Sequence, residues 1–349
     1  MNEIKHGDSL EVLEQLENNS VHAVITDPPY GLAFMGRDWD DFEPKEYQGW
    51  CQEWAEKAKQ VLKPGGHLLA FSGNRTHHRL FTGVEDAGFE IRDTLTWHYG
   101  GGFPKNSNSQ LKPATEFIVL SRNGMEGTAK SCHEKYGTAY LNIDGARIET
   151  SGRPNREVRG DEHGDTPAYD LGGANAEGTT TEGRYPANVV FDETAAEQLD
   201  EQVGETSDST GAAGYGFTGD EIYGEYGESE AEGYDDSGGP SRYFYTSKAS
   251  KSERTENGSI DNSHPTVKPI DLMEWLIKLV TKEEQIVLDP FAGSGTTCKA
   301  AKGLNRQFIG IEKQAKWADI ARVRCGLTPD DPTVVRDDDG QEGLEAYSD

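Results

Sequence analysis

An apolar run that ends in two prolines leaves a chain few options. Residues 21–31, Val21-His22-Ala23-Val24-Ile25-Thr26-Asp27-Pro28-Pro29-Tyr30-Gly31, form such a run. Val21 to Ile25 predicts a short buried strand. Two successive prolines lack the N–H donors that a sheet ladder needs, so the chain must leave the sheet at Asp27. The result is a stiff platform at the carboxyl end of a strand, where open α/β sheets place their ligands.

That platform suits a narrow chemistry. The Asp27 carboxylate and the Pro28 carbonyl are two fixed acceptors, with the carbonyl aimed by the rings of Pro28 and Pro29. Tyr30 adds a flat face and a hydroxyl. A planar ring carrying an exocyclic NH2 finds an acceptor there for each amino hydrogen and an aromatic plate to stack on. A plain Pro-Pro turn closed by an Asx-type hydrogen bond accounts for the tetrapeptide equally well.

A second stretch, Gln285 to Thr297, reads as a strand, a turn (Asp289-Pro290-Phe291-Ala292-Gly293-Ser294-Gly295) and a helix start at Thr296. Gly293 and Gly295 let backbone approach a ligand closely. Cys298 stands where a dinucleotide fingerprint needs its third glycine, and no Gly-Lys-Ser/Thr follows, which excludes that motif and a P-loop. Arg306 to Glu312 predicts a further strand. The acid at its end, Glu312, is placed to bind the two hydroxyls of a ribose.

Taken together, Asp27-Pro28-Pro29-Tyr30 and Asp289-Pro290-Phe291-Ala292-Gly293-Ser294-Gly295-Thr296-Thr297 resemble the motifs of the amino-group DNA methyltransferases. Their order resembles the β group, a circular permutation of the common methyltransferase fold. The resemblance covers residues 1–122 and 241–326. It implies an α/β fold, a doubly wound, mostly parallel seven-stranded sheet with one antiparallel strand and a glycine-rich acidic insertion. It implies S-adenosylmethionine (SAM) as cofactor, held by Asp289, Phe291, Ala292, Gly293, Ser294, Gly295 and Thr296, with Glu312 on the ribose. It implies DNA as substrate, with Asp27, Pro28, Pro29 and Tyr30 receiving the amine of a base turned out of the stack. In the resembled family Asp at the first motif position accompanies adenine more often, so the resemblance implies adenine N6, with cytosine N4 the alternative. The rival readings are a non-catalytic DNA- or SAM-binding regulator and methylation of an RNA base or a protein amide. A homodimer and a restriction endonuclease on a separate chain are the further partners considered.

Charge sits awkwardly with DNA. The 349 residues carry a formal charge of −28, whereas a nucleic-acid-binding protein is expected to be basic. Either the DNA reading fails or the protein works at high salt. At 1 M salt the Debye length is ~3 Å, and self-repulsion and phosphate attraction both weaken. A halophilic source is the expectation. No apolar run approaches the ~20 residues of a membrane span, and the N-terminus has no apolar signal region. Cys51, Cys132, Cys298 and Cys325 lack Cys-x-x-Cys spacing. Free thiols in a reducing cytoplasm, without a metal site, are expected.

Elsewhere along the chain, Asp8 is either a cofactor contact or a plain helix cap. Gly31 to Phe42 either closes over a bound base or is a surface loop pinned by Trp39. Glu43 to Leu62 predicts a helix with Tyr47, Trp50, Trp54 and Ala58 along one side. His77 and His78 read as helix surface rather than metal ligands. Phe89 to Tyr99 predicts a strand and Ala114 to Leu120 its antiparallel partner. Trp97 is either core or, as the resemblance implies, a wall of the base pocket. Thr266 and Lys268 precede a helix from Ile270 to Lys282, whose N-terminal end suits a carboxylate. The resemblance sets this pair at the methionine end of the cofactor.

Four segments follow. Residues 1–123 are the catalytic half, 124–240 a target-recognition insertion, 241–326 the SAM-binding half and 327–349 an acidic tail. The insertion holds Arg153, Arg156 and Arg159, either DNA contacts or part of a charged linker. Its residues 200–240 carry twelve acids and no Lys or Arg, and partial disorder is expected there. Ser241 to Arg254, with four bases against one acid, either touches nucleic-acid backbone or re-enters the core as a strand.

Overall fold

A computed structural model describes residues 2–32, 40–102, 111–149, 183–207, 237–248, 255, 258–260, 262–264 and 266–334. Trp39, Arg153, Arg156, Arg159, most of the 200–240 segment, the Lys251 to Arg254 end of the basic stretch and the tail beyond 334 lie outside these residues.

The elements run β1 (Asn2–His6), α1 (Ser9–Leu13), β2 (Val21–Thr26), α2 (Pro44–Val61), β3 (Leu62–Ser72), α3 (His77–Asp86), β4 (Glu90–His98), β5 (Thr115–Arg122) and α4 (Ala129–Tyr136). They continue as β6 (Val189–Asp192), α5 (Glu193–Val203), β7 (Thr206–Ser207), β8 (Ser237–Gly238), β9 (Tyr245–Ser247), α6 (Ile270–Val280), β10 (Ile286–Asp289), α7 (Thr296–Gly303), β11 (Gln307–Glu312) and α8 (Ala315–Arg324). One sheet has the order β1-β11-β10-β2-β3-β5-β4-β6-β9, and β7 and β8 form a small ribbon apart from it. Every neighbour in the large sheet is parallel except the two pairs made by β5. The strands latest in the chain, β10 and β11, lie between β1 and β2 near one end of the sheet.

Burial alternates with the two-residue period of a strand. Ala23, Ile25, Leu69 and Phe71 face the helices after β10 and β11, together with α6. Val24, Leu68 and Ala70 face α1, α2 and α3. Both faces are therefore apolar, as parallel strands under helices require. Helix α2 starts at Pro44, where a missing N–H costs nothing, and it buries Tyr47, Cys51, Trp54, Ala55, Ala58 and Val61. The four cysteines are buried free thiols. Among the described residues no helix is long and apolar enough to cross a membrane.

The sheet has nine strands rather than seven. The two extra, β6 and β9, pair in parallel on the free edge of β4. They cover N–H and C=O groups that an open edge would leave unpaired. The Ser241 to Ser247 part of the basic stretch is spent inside the protein. Arg242 donates to Thr206 Oγ1 at 2.7 Å and to the Gly238 carbonyl at 2.7 Å. Tyr245 stacks on Trp275 with ring centroids 5.2 Å apart. This segment re-enters the core as a strand.

Connections fix where a ligand can sit. The helices that follow β1, β2 and β3 cover one face, and those that follow β10 and β11 cover the other. Neighbouring β10 and β2 thus send their chains to opposite sides, which opens a crevice at their carboxyl ends.

Candidate functional site

Both motifs emerge at that crevice, and Asp289 ties them together. Its Oδ1 accepts from Thr26 Oγ1 at 2.6 Å and from the Phe291 N–H at 3.0 Å. Burial pushes this carboxyl up to about 6, against the pull of the hydrogen bonds from Thr26, Thr297 and Phe291. The Pro-Pro platform is braced from below, where Tyr47 donates its phenol to the Pro29 carbonyl at 2.9 Å. Behind it, the buried Asp40 carboxylate accepts from the Gly31 and Leu32 N–H groups at 2.7 and 3.1 Å. Ser9 Oγ donates to the Pro290 carbonyl at 2.5 Å and pins the second turn to the start of α1.

Between the turns lies a cavity of about 1250 Å³, larger than the ~300–1,000 Å³ of most small-molecule sites. Asp8, Asp27, Pro28, Pro29, Tyr30, Thr266, Lys268, Asp289, Phe291, Ala292, Gly293, Ser294, Thr296 and Glu312 all line it. Tyr30 and Phe291, 261 positions apart in the chain, therefore share one cavity. Gly295 does not line it. At φ +82° it lies so near α8 that a Cβ would sit 2.7 Å from the Ala321 Cβ, so its smallness serves helix packing.

On the platform side the polar groups form one buried cluster. Tyr30 Oη lies 2.8 Å from Asp27 Oδ1 and 2.9 Å from Glu116 Oε2. Lys268 Nζ lies 2.5 Å from Asp27 Oδ2, 3.2 Å from Tyr30 Oη and 3.4 Å from Glu116 Oε2. Burial, then the two acids, push the Tyr30 phenol well above its usual range, so it stays protonated. Burial opposes the Lys268 charge, but Asp27 and Glu116 outweigh it and hold the ammonium above its usual value. Lys268 thus sits with the Asp27 and Glu116 carboxylates, whereas the resemblance set it at the methionine end of a cofactor. A buried ammonium goes where the unneutralised charge is, and here two carboxylates stand side by side.

The opposite wall carries a donor and acceptor set suited to a nucleoside joined to an amino acid. Phe291 packs on Trp50 and Trp54, with centroids 5.3 and 5.6 Å away. Glu312, half-buried at the end of β11, accepts from Gly293 N–H at 3.0 Å and from Gln314 N–H at 2.7 Å. Burial raises its carboxyl, and the N–H groups of Gln314, Gly293 and Lys313 lower it. Gly293 has φ +52°, and a Cβ there would come within 3.0 Å of the His264 ring. Only glycine leaves this cradle open. Asp8 serves as cap and wall at once, since it accepts from Leu10 N–H at 3.0 Å, faces Lys313 at 3.0 Å and lines the cavity.

Sequence reasoning passed over Glu116. Glu116 carried a signal, the lone charge in the predicted strand Ala114 to Leu120. It reaches the site because β5 runs backwards, so its first residues lie at the edge where the parallel strands end. Trp97 pairs across from Glu116 in the ladder, packs on Tyr99 at 5.4 Å and lines the cavity.

Residues 21–323 match the model of a protein family described as DNA methylase. The chain is 27% identical to the Type II methyltransferase M.HindIII of Haemophilus influenzae, over 93% of this chain and 95% of that protein. Among solved structures it is similar to the PvuII DNA methyltransferase, described as cytosine-N4-specific, with a TM-score of 0.52 and 18% identity over 92% of this chain and 85% of that one. It is also similar to the M1.HpyAVI–SAM complex, at 19% identity and a TM-score of 0.45, covering 93% of this chain and all of the other.

Proposed function

The chain belongs to the N6/N4 DNA methylase family, and from that premise we propose that it is a SAM-dependent DNA methyltransferase acting on the N6 amine of adenine. One observation carries the proposal. The amine-receiving platform of Asp27, Pro28, Pro29 and Tyr30 and the Phe291–Thr296 turn line a single cavity. Bound SAM supplies an electrophilic methyl carbon. Phe291, Ala292, Gly293, Ser294, Thr296, Asp8 and Thr266 are the residues that would hold it, with Glu312 on the ribose.

The chain's own residues do the positioning. A target base must leave the stack, because these groups cannot reach an amine inside a duplex. The Tyr30 ring takes the base by stacking. The Asp27 carboxylate and the Pro28 carbonyl accept the two amino hydrogens, which turns the nitrogen lone pair toward the cofactor wall. Bound there, SAM would supply its methyl carbon to that lone pair and would keep the electron pair of the C–S bond on its sulfur. Asp27, or water beside it, then accepts the surplus proton. Placement supplies most of the acceleration.

Asp at the first motif position supports adenine over cytosine. The Type II name of the relative supports a place in restriction-modification, with the nuclease on a separate chain. The charge of −28 supports a high-salt working medium. The test is incubation with DNA and methyl-labelled SAM, followed by mass spectrometry of the digested nucleosides. N6-methyladenine is the expected product. N4-methylcytosine would overturn the base assignment and leave the transfer standing, whereas absence of label from DNA would overturn the whole reading.

A further inference from the structure

We propose that Glu116 is a positioning residue for methyl transfer, which takes the Tyr30 hydroxyl hydrogen away from Asp27 when the target amine arrives. The inference rests on the reading of Asp27 as the group that receives the amine. Tyr30 has one hydroxyl hydrogen and two carboxylates within reach, Asp27 Oδ1 at 2.8 Å and Glu116 Oε2 at 2.9 Å. It can donate to one of them at a time. While it donates to Asp27, both Asp27 oxygens are engaged, Oδ2 by Lys268 at 2.5 Å and Oδ1 by the phenol. Rotating the hydroxyl hydrogen to Glu116 opens Oδ1 toward the cavity without moving a heavy atom.

Charge supports the same assignment. Lys268 contacts both carboxylates, at 2.5 and 3.4 Å, and its single positive charge leaves the four-group cluster at net −1. Positive charge grows on the amine nitrogen as it bonds to carbon, and a buried net −1 placed beforehand favours that state. Without Glu116 the Lys268–Asp27 pair is neutral and the phenol hydrogen has only Asp27 to go to.

The test is a double-mutant cycle on kcat at saturating DNA and SAM, with SAM binding measured at equilibrium for each variant. Glu116→Leu is expected to lower kcat by about 10- to 100-fold, the factor that one charge-assisted hydrogen bond carries, and to leave SAM affinity unchanged. Tyr30→Phe keeps the ring and removes the competing hydrogen, and its own kcat sets the level against which the double variant is read. The double variant Glu116→Leu with Tyr30→Phe is expected to recover about 10-fold over Glu116→Leu alone, since no hydroxyl remains to occupy Asp27. A merely structural glutamate would give a double variant no better than the single one. That result, or full activity in Glu116→Leu, overturns the inference. Failure of the parent protein to label DNA overturns the underlying reading instead. Should the leucine variant not fold, Glu116→Met, closer in shape, carries the same cycle.

Discussion

Tyr30 presents two chemically distinct parts to one cavity, a ring face and a hydroxyl, and substitutions separate them. Asp27→Ala and Tyr30→Ala are expected to abolish methyl transfer while SAM still binds, because the residues proposed to hold SAM belong to other segments. Equilibrium binding of SAM beside a DNA-labelling assay checks this, and substantial labelling by either variant would sink the site assignment. The two glycines of the second motif make a matched pair. Gly293→Ala places a Cβ 3.0 Å from the His264 ring at the cavity wall and is expected to weaken SAM binding with a small change in melting temperature. Gly295→Ala drives a Cβ to 2.7 Å from Ala321 at φ +82° and is expected to cost about 1–3 kcal/mol of stability, read by chemical denaturation. Most of the site was legible in local sequence, since Asp27 to Tyr30 and Asp289 to Thr296 each form one continuous turn. Glu116 was not, because its role depends on a strand reversal that places it beside residues 86 positions away. Nor was the position of the Lys268 ammonium, which depends on two carboxylates brought together from separate strands.

At the scale of elements, periodicity exposed the long buried strands and the helices that cover them, including the β4–β5 hairpin. It left β9 as one of two readings of Ser241 to Arg254 and did not place β6 or β9 on the sheet. Strands of four and three residues take their stability from the edge they join rather than from their own propensity. The amino ends of the central strands carry a second feature that pattern alone would misjudge. His67 on β3 and His22 on β2 read as polar breaks in apolar runs, yet His67 is buried and His22 half-buried. Burial, then the charges of Arg122 and Arg92, lower His67 to about 3. Burial, then Lys63, lowers His22 to about 4. Each imidazole is neutral when folded, whereas the unfolded chain takes up a proton below about 6.5. Stability from these groups is therefore complete above pH 6.5 and is lost as the pH falls toward 4 and then 3. Urea denaturation between pH 7 and pH 5 should show a loss of about 2 kcal/mol attributable to His67, and a His67→Leu variant should show a correspondingly shallower slope. Equal slopes in the two proteins would show that His67 titrates alike in both states.

Across the whole molecule, the charge of −28 and a polyanionic substrate set up a conflict that a high-salt medium would relieve. At ordinary ionic strength the Debye length is about 8–10 Å, so surface acids repel one another and repel DNA phosphates. Near 1 M salt it falls to about 3 Å, and both repulsions fade. The groups assigned to catalysis are expected to be less affected, because Lys268, Tyr30, Asp27 and Glu116 meet in a largely buried cluster, which salt screens less than the surface. Salt should therefore change binding and stability more than the chemical step. Methyl transfer is expected to rise with KCl toward an optimum in the molar range, with KM for DNA falling over the same interval while kcat changes little. The urea midpoint should rise in parallel. An ordinary basic DNA-binding protein does the reverse, since it releases counterions from phosphates and loses affinity as salt increases. Steady-state kinetics across 0.1–3 M KCl separates the two cases. An optimum near 0.1 M with inactivation in molar salt would mean that the acidic surface has some other role, and that the DNA-facing side holds a positive patch strong enough to work against it.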